Sequence, residues 1–253
     1  MGAIHDVTRF KHLTYDGFRT LARDASLSRY EKIGFPDAYR SGKEEAIFRD
    51  IRRKLTNLGQ AGQCVLDIGP GCSDLPLMLI EACRQHRHTL LLVDSPEMLA
   101  LLPDASGIVK TAGRFPQDCA ALVEEHRERV NALLAYSVFH YVYAEASAFG
   151  FLDRCLELLA PGGQLLIGDI PSLSKRKRFF SSRAGTRFHQ QFTGTAEVPE
   201  VVFNRVEYGE IDDAVIVSLV LRARAAGFDA YLLPQADDLP MANRREDVLI
   251  CRP

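Results

Sequence analysis

None of the six cysteines stands in a Cys-x-x-Cys pair. Cys64, Cys72, Cys83, Cys119, Cys155 and Cys251 are scattered, a spacing that suits a reducing cytosol and builds neither a zinc site nor a disulfide framework. No His, Asp and Glu grouping has metal-ligand spacing either, so no metal is expected. No apolar run approaches the ~18 residues of a membrane span. The stretch from Met1 to Phe10 carries His5, Asp6 and Arg9 in place of the apolar core of a secretory signal. A cytoplasmic protein without a membrane partner is the expectation. An excess of one charge is missing too: 31 Lys and Arg against 33 Asp and Glu give a net −2. That leaves too little positive surface to neutralise a nucleic-acid duplex. Internal repeats and low-complexity tracts are absent.

What remains is a chain of 253 residues with an ordinary apolar share, long enough for one large domain with an elaboration. From Asp6 to Tyr39 the pattern is helical but punctuated by Gly17, Gly34 and Pro36. Ser41-Gly42-Lys43-Glu44 reads as a capping box opening a helix with the stripe Ala46, Ile47, Ile51, Leu55 and Leu58. Short apolar runs then alternate with helical segments. Strands are predicted over Cys64 to Ile68, Thr89 to Val93, Ile108 to Ala112, Ala132 to Ser137 and Gln164 to Ile170. Ser73 caps one intervening helix. Ser95-Pro96-Glu97 starts another, and Asp118 to Arg129 and Glu145 to Leu159 supply two more. This alternation specifies a doubly wound α/β sheet. Ser172 to Gly209 reads as basic, aromatic and irregular. After a helix over Ile211 to Ala226, Tyr231 to Pro234 and Asp247 to Cys251 close the sheet as an antiparallel pair.

The chemistry centres on Gly69-Pro70-Gly71, directly after the first strand. Glycines there let the backbone approach a ligand closely, and the next helix presents free N–H groups. Asp94, ending the next strand, can accept both hydroxyls of a ribose, although a turn cap is the plainer role. A third glycine is lacking: Asp74 stands where Gly-x-Gly-x-x-Gly would place it, which disfavours a dinucleotide.

Taken together, Cys64 to Asp74, Leu90 to Asp94, Asn131 to Val142, Leu159-Ala160-Pro161-Gly162-Gly163 through Asp169, and Gly227-Phe228 resemble the ordered motifs of class I S-adenosylmethionine (SAM)-dependent methyltransferases. The resemblance runs from about Ser41 to Pro253. It implies a Rossmann-like, seven-stranded, mostly parallel sheet and SAM as cofactor. It also implies that Asp67, Gly69, Pro70 and Gly71 surround the methionyl part, Asp94 holds the ribose, and Ser95 and Met98 lie beside the adenosine. Gly113, Arg114 and Phe115 correspond to the adenine loop, and Ser137 ends the fourth-strand motif. Arg114 replaces an Asp common at that position, leaving the adenine contact to Asp118 or to a backbone group.

For a hydroxyl acceptor a general base is useful. His140 is the first candidate, with loop ordering as the competing role; Asp169 is the second, and His189 a weaker third. Lys175-Arg176-Lys177-Arg178-Phe179-Phe180 reads either as an anion clamp or as a solvated basic loop. Residues 1–40 read as an N-terminal helical cover, in which Tyr39 and Arg40 can reach the methionyl carboxylate, or simply as surface packing. Residues 41–253 read as the catalytic domain, with 172–209 as a cap over the acceptor. The expected activity is O-methylation of a small anionic or sugar-like metabolite, such as a nucleotide-linked sugar for surface glycan synthesis. An NAD(P)-dependent oxidoreductase and a non-catalytic SAM-binding subunit are the alternatives, and a homodimer is left open.

Overall fold

A computed structural model describes residue 10, residues 13–205 and residues 207–253. The helical pattern predicted from Asp6 therefore begins, at residues 6–9, 11 and 12, outside the described residues. Three short helices come first: α1 (Tyr15–Arg23), α2 (Arg29–Lys32) and α3 (Asp37–Arg40). Then α4 (Glu44–Lys54) leads into β1 (Cys64–Ile68), α5 (Asp74–His86), β2 (Thr89–Asp94), α6 (Pro96–Leu99) and β3 (Ile108–Ala112). The chain continues through α7 (Ala120–Glu125), β4 (Val130–Tyr136), α8 (Phe139–Glu145), α9 (Ala148–Leu158) and β5 (Leu159–Pro171). It ends with α10 (Leu173–Phe180), α11 (Arg183–Thr193), α12 (Asp213–Ala225), β6 (Asp229–Pro234) and β7 (Arg245–Cys251).

The strands form one seven-stranded sheet in the order β3-β2-β1-β4-β5-β7-β6. Pairing is parallel from β3 through β5, and β7 runs antiparallel to both β5 and β6. Strand order reverses between β1 and β4, so a crevice opens beyond their carboxyl ends. Both faces are buried, as near-continuous apolar strands require. Leu66, Leu91, Leu133 and Leu165 point to one side, against α9 and α12. Val65, Leu90, Leu134 and Leu166 point to the other, against Ile47 and Ile51 of α4 and Leu79 of α5. Period-two alternation of Cβ directions thus splits each strand between two cores.

Several expectations need correction. Ser41 does not cap α4; Lys43 takes the cap position without a side-chain bond, and Glu44 is itself buried. The helix expected from Asp118 shrinks to α7, and the one expected from Glu145 starts at Ala148, where Ser147 accepts from the Gly150 N–H. The preceding residues, through Glu145, form α8 instead. Strand β5 begins at Leu159 and passes through Pro161-Gly162-Gly163, which do not break it. The largest revision concerns Ser172 to Gly209, much of which is two helices. Ser172 and Ser182 cap α10 and α11 by accepting from the N–H groups of Lys175 and Gly185. Phe179 and Phe180 meet Phe188 across the turn with ring centroids 5.7 and 6.2 Å apart. Aromatic packing between the two helices stands in for the apolar stripe that the segment lacks. No helix among the described residues is long and apolar enough to cross a membrane.

Candidate active site

A cavity of about 350 Å³ occupies the crevice beyond β1 and β4, within the range of small-molecule sites. Gly69, Pro70 and Gly71 line its floor, and Asp94 and Met98 one wall. Gly113, Arg114, Phe115 and Ser137 complete the predicted residues that the fold brings together here. The glycines are required by geometry. Gly69 and Gly71 have φ of +70° and +65°, and a Cβ on them would meet Val138 Cγ2 at 2.6 Å and Ile33 Cγ2 at 2.5 Å.

Two predicted residues lie behind the lining. Ser95 is buried as the cap of α6, its hydroxyl accepting from the Met98 N–H at 3.2 Å. Asp67 is buried in β1, where burial and then the nearby Asp94 push its carboxyl up to about 8. Burial likewise raises Asp94, to about 6, against two stabilising backbone bonds. Those come from Ser95 N–H to Oδ1 at 2.6 Å and Gly71 N–H to Oδ2 at 3.0 Å. Each oxygen keeps a free lone pair, so the carboxylate can still accept two hydroxyls.

His140 and Asp169 sit outside this lining, next to it. Asp169 lies near the end of β5, at its register shift against β7, in the left-handed region, φ 58°, as Ser137 does beyond β4, φ 59°. The Ser137 hydroxyl donates to Asp169, and Arg40 donates to both, at 2.6 Å to Ser137 Oγ and 3.2 Å to Asp169 Oδ2. Gln235 and Arg245 approach the other oxygen at 3.3 and 3.7 Å. Burial would raise the Asp169 carboxyl, but Arg245 and Arg40 outweigh it and hold it below the usual range. His140 is the reverse: burial, then Arg245, lower it to about 3, with Asp169 opposing. Its Nδ1 is buried without a hydrogen-bond partner among the described residues. The imidazole is therefore neutral at ordinary pH, and weakly basic.

Most of the remaining wall was not foreseen. Tyr15 and Phe18 of α1, Ile33 and Phe35 after it, and Tyr141 and Val142 of α8 enclose the cavity with apolar and aromatic surface. Gln117, not Asp118, reaches it beyond β3; Asp118 instead accepts from the Arg114 N–H at 2.9 Å. Arg40 does line the cavity, its guanidinium 4.2 Å from the Phe35 ring centroid. The N-terminal helices are tied down over the crevice. Arg19 and Arg23 pair with Glu97 of α6, while Arg29 and Tyr30 bind Asp74 of α5. None of the described residues of 172–209 lines the cavity. His189 lies in α11, 6.3 Å from the Phe180 ring.

No family model and no curated relative matches the sequence. Solved structures do match in fold. One is the CurJ carbon methyltransferase, with TM-score 0.56 and 15% identity, covering 96% of this chain and 65% of that one. This chain thus spans about two thirds of that protein's length. Another is the plantazolicin methyltransferase BpumL in complex with SAH, with TM-score 0.55 and 12% identity over 97% and 98% of the two chains. A third is the N-methyltransferase NodS from Bradyrhizobium japonicum, at 0.52 and 15% over 86% and 99%. At such identities the likeness establishes the architecture: this is the Rossmann-like fold of SAM-dependent methyltransferases, as its motifs led one to expect.

Proposed function

We propose that the chain is a SAM-dependent methyltransferase whose cofactor occupies the crevice cavity. The observation that carries this is the convergence of the Gly69–Gly71 turn and the half-satisfied Asp94 carboxylate on one aromatic-walled cavity. The residues fit the group. Asp94 suits the ribose diol, Met98 and Phe115 offer apolar flanks for the adenine, and Gln117 supplies an amide near Arg114. Arg40 and Ser73 are placed for the methionyl end, and aromatic faces suit a sulfonium cation. When bound, SAM supplies a methyl group already activated on that sulfonium. A pyrophosphate cofactor fits poorly, because Asp74, held by Arg29 and Tyr30, stands where the dinucleotide pattern needs its third glycine for close helix packing.

The protein's share of the reaction is orientation and exclusion of water. In this reading α1, α2 and α3 are the cover, since Ile33 and Phe35 close the cavity from above. The acceptor approaches from the side of Ser137, His140 and Asp169. A hydroxyl of a small anionic or sugar-like metabolite is the acceptor group we favour. His140 Nδ1 would accept its hydrogen bond and take the hydroxyl proton, while bound SAM would supply the methyl by cleavage of its S–CH3 bond and leave as the neutral thioether. Asp169 holds Ser137 and Arg40 and stabilises the imidazolium. Titration calorimetry with SAM, SAH and NADH, followed by labelled-methyl transfer to an acceptor panel, tests both levels. Binding of NADH but not SAH overturns the cofactor, and turnover only on RNA or protein overturns the acceptor class. SAH binding without transfer to any acceptor in cell extract makes the chain a non-catalytic subunit. Full activity in both His140→Ala and Asp169→Ala removes the proton-transfer assignment.

A further inference from the structure

The basic run of α10 is not uniform. Lys175 donates to the Arg245 carbonyl at 2.8 Å and pairs with Glu246 at 3.2 Å; Lys177 pairs with Glu207 and Arg178 with Asp213, both at 2.5 Å. Arg176 alone of the four has no ion pair or side-chain hydrogen bond among the described residues. Its guanidinium lies 6.0 Å from the Phe180 ring centroid. Arg244, at the start of the approach to β7, lies over the same ring at 5.9 Å and over Phe188 at 5.7 Å. It too has no anionic partner among the described residues, although it is half-buried. Burial, then Arg245 and Arg176, lower its affinity for its own proton. The acids in this corner are already engaged, with Glu207, Asp213 and Glu246 bound by Lys177, Arg178 and Lys175.

Two guanidiniums gathered about one aromatic ring, neither of them ion-paired among the described residues and with the Asp169-bound Arg245 beside them, are unfavourable unless an anion joins them. The guanidinium fork matches the planar or tetrahedral oxygens of an acid group. We propose that Arg176 and Arg244, stacked on Phe180, bind one acid group, a carboxylate or a phosphate ester, carried by the methyl acceptor. Next to Arg244, the Asn243 Oδ1 is buried without a partner, and so are Gln235 Oε1 and His140 Nδ1 toward Asp169. A small hollow lined by Tyr39, Met241, Arg245 and Asp169 shares Phe35 and Arg40 with the large cavity. Arg244 adjoins Arg245 of that hollow, so an acceptor anchored by its acid at Arg244 is held on the Asp169 side of the large cavity. The stated ligand rests on the methyltransferase reading; the anion site itself does not.

Inorganic phosphate and acetate are the probes, each compared with chloride at equal ionic strength by thermal unfolding of the whole protein. Phosphate at about tenfold its Kd is expected to raise the midpoint by about 3 °C. The shift disappears in Arg176→Gln, an exposed position that does not threaten folding, and in Arg244→Gln. It survives in Lys177→Gln and Arg178→Gln. A response to phosphate alone assigns a phosphate ester, and a response to acetate as well assigns a carboxylate. Equal shifts in all variants, or none in the wild type, overturn the site. So does binding of a single-stranded RNA oligomer that depends on Arg176 and Arg244, since the partner is then a polymer backbone. SAH calorimetry on the wild type keeps the two proposals apart. Loss of SAH binding with the phosphate response intact removes the cofactor reading, whereas the converse result removes only the anion site.

Discussion

At the scale of single residues, Gly71 and Asp94 set the terms. Gly71→Ala places a methyl 2.5 Å from Ile33 Cγ2 at a φ of +65°, so strain and displacement of the cover coincide. A loss of about 1–3 kcal/mol in stability, read by denaturant unfolding, is expected. SAH binding should weaken with it. Asp94 leads to a pH prediction. Hydroxyl donors favour its ionised form, and its carboxyl sits at about 6 in the ligand-free protein. SAH affinity should therefore rise with pH through about 6 and fall about tenfold per unit below it. Asp94→Asn should bind at least tenfold more weakly and lose that dependence; calorimetry from pH 5 to 8 decides.

The same shifts bear on folding with the opposite sign. Asp67 and Asp94 are raised to about 8 and about 6. Between pH ~4 and those values the folded chain holds protons that the unfolded chain has released, so these groups reduce stability as pH rises.

At the scale of elements, the N-terminal helices are fastened through side chains that are partly exposed: Arg29 at 49% and Asp74 at 38%. Such a pair contributes about 1 kcal/mol or less. In Asp74→Ala, hydrogen exchange of residues 29–36 should accelerate by about fivefold or less while the β-sheet amides keep their protection. Uniform acceleration would mean that α2 does not open independently.

The contrast between α2 and β2 also marks what sequence reasoning can reach. Strands such as Leu90–Val93 are legible because burial on both faces demands a continuous apolar run. Asp74 was legible as a departure from the dinucleotide pattern, but Arg29 and Tyr30 as its partners were not, because no local periodicity encodes a contact across that separation. Tyr15, Phe18 and Tyr141 were missed as cavity wall for the same reason. The helices α10 and α11 were hidden by composition. Their stabilising surface is a set of phenylalanines meeting across a turn among cations, so no apolar stripe emerges at helical spacing.

At the scale of the whole molecule, one buried ion pair ties the first long helix to the last strand. Lys54 of α4 contacts Asp50 at 2.5 Å and Asp247 of β7, which is fully buried, at 2.7 Å. Asp247 also accepts from the Asp169 N–H and from Gln235, so the pair supports the strand end beside the candidate site. Lys54→Met leaves two buried carboxylates without their cation and should cost about 3–5 kcal/mol at neutral pH. Burial raises the Asp247 carboxyl, with Lys54 opposing that rise. Removing Lys54 lifts it further, so the deficit should shrink in acid as the carboxyl takes up its proton. Denaturation midpoints at pH 5 and pH 8 measure the difference.

The fastening of α1 and α2 to Glu97 and Asp74 has a consequence for time as well as for shape. On the proposed reading, the cofactor enters and leaves beneath α1 and α2, so that its passage parts those contacts. Each cycle must break them twice, once for loading and once for discharge of the spent cofactor. Turnover would then be paced by opening, not by the bond-making step. Rapid mixing should show a burst of one methylated product per protein molecule followed by a slower steady rate, and Asp74→Ala should quicken the slow phase while leaving the burst unchanged.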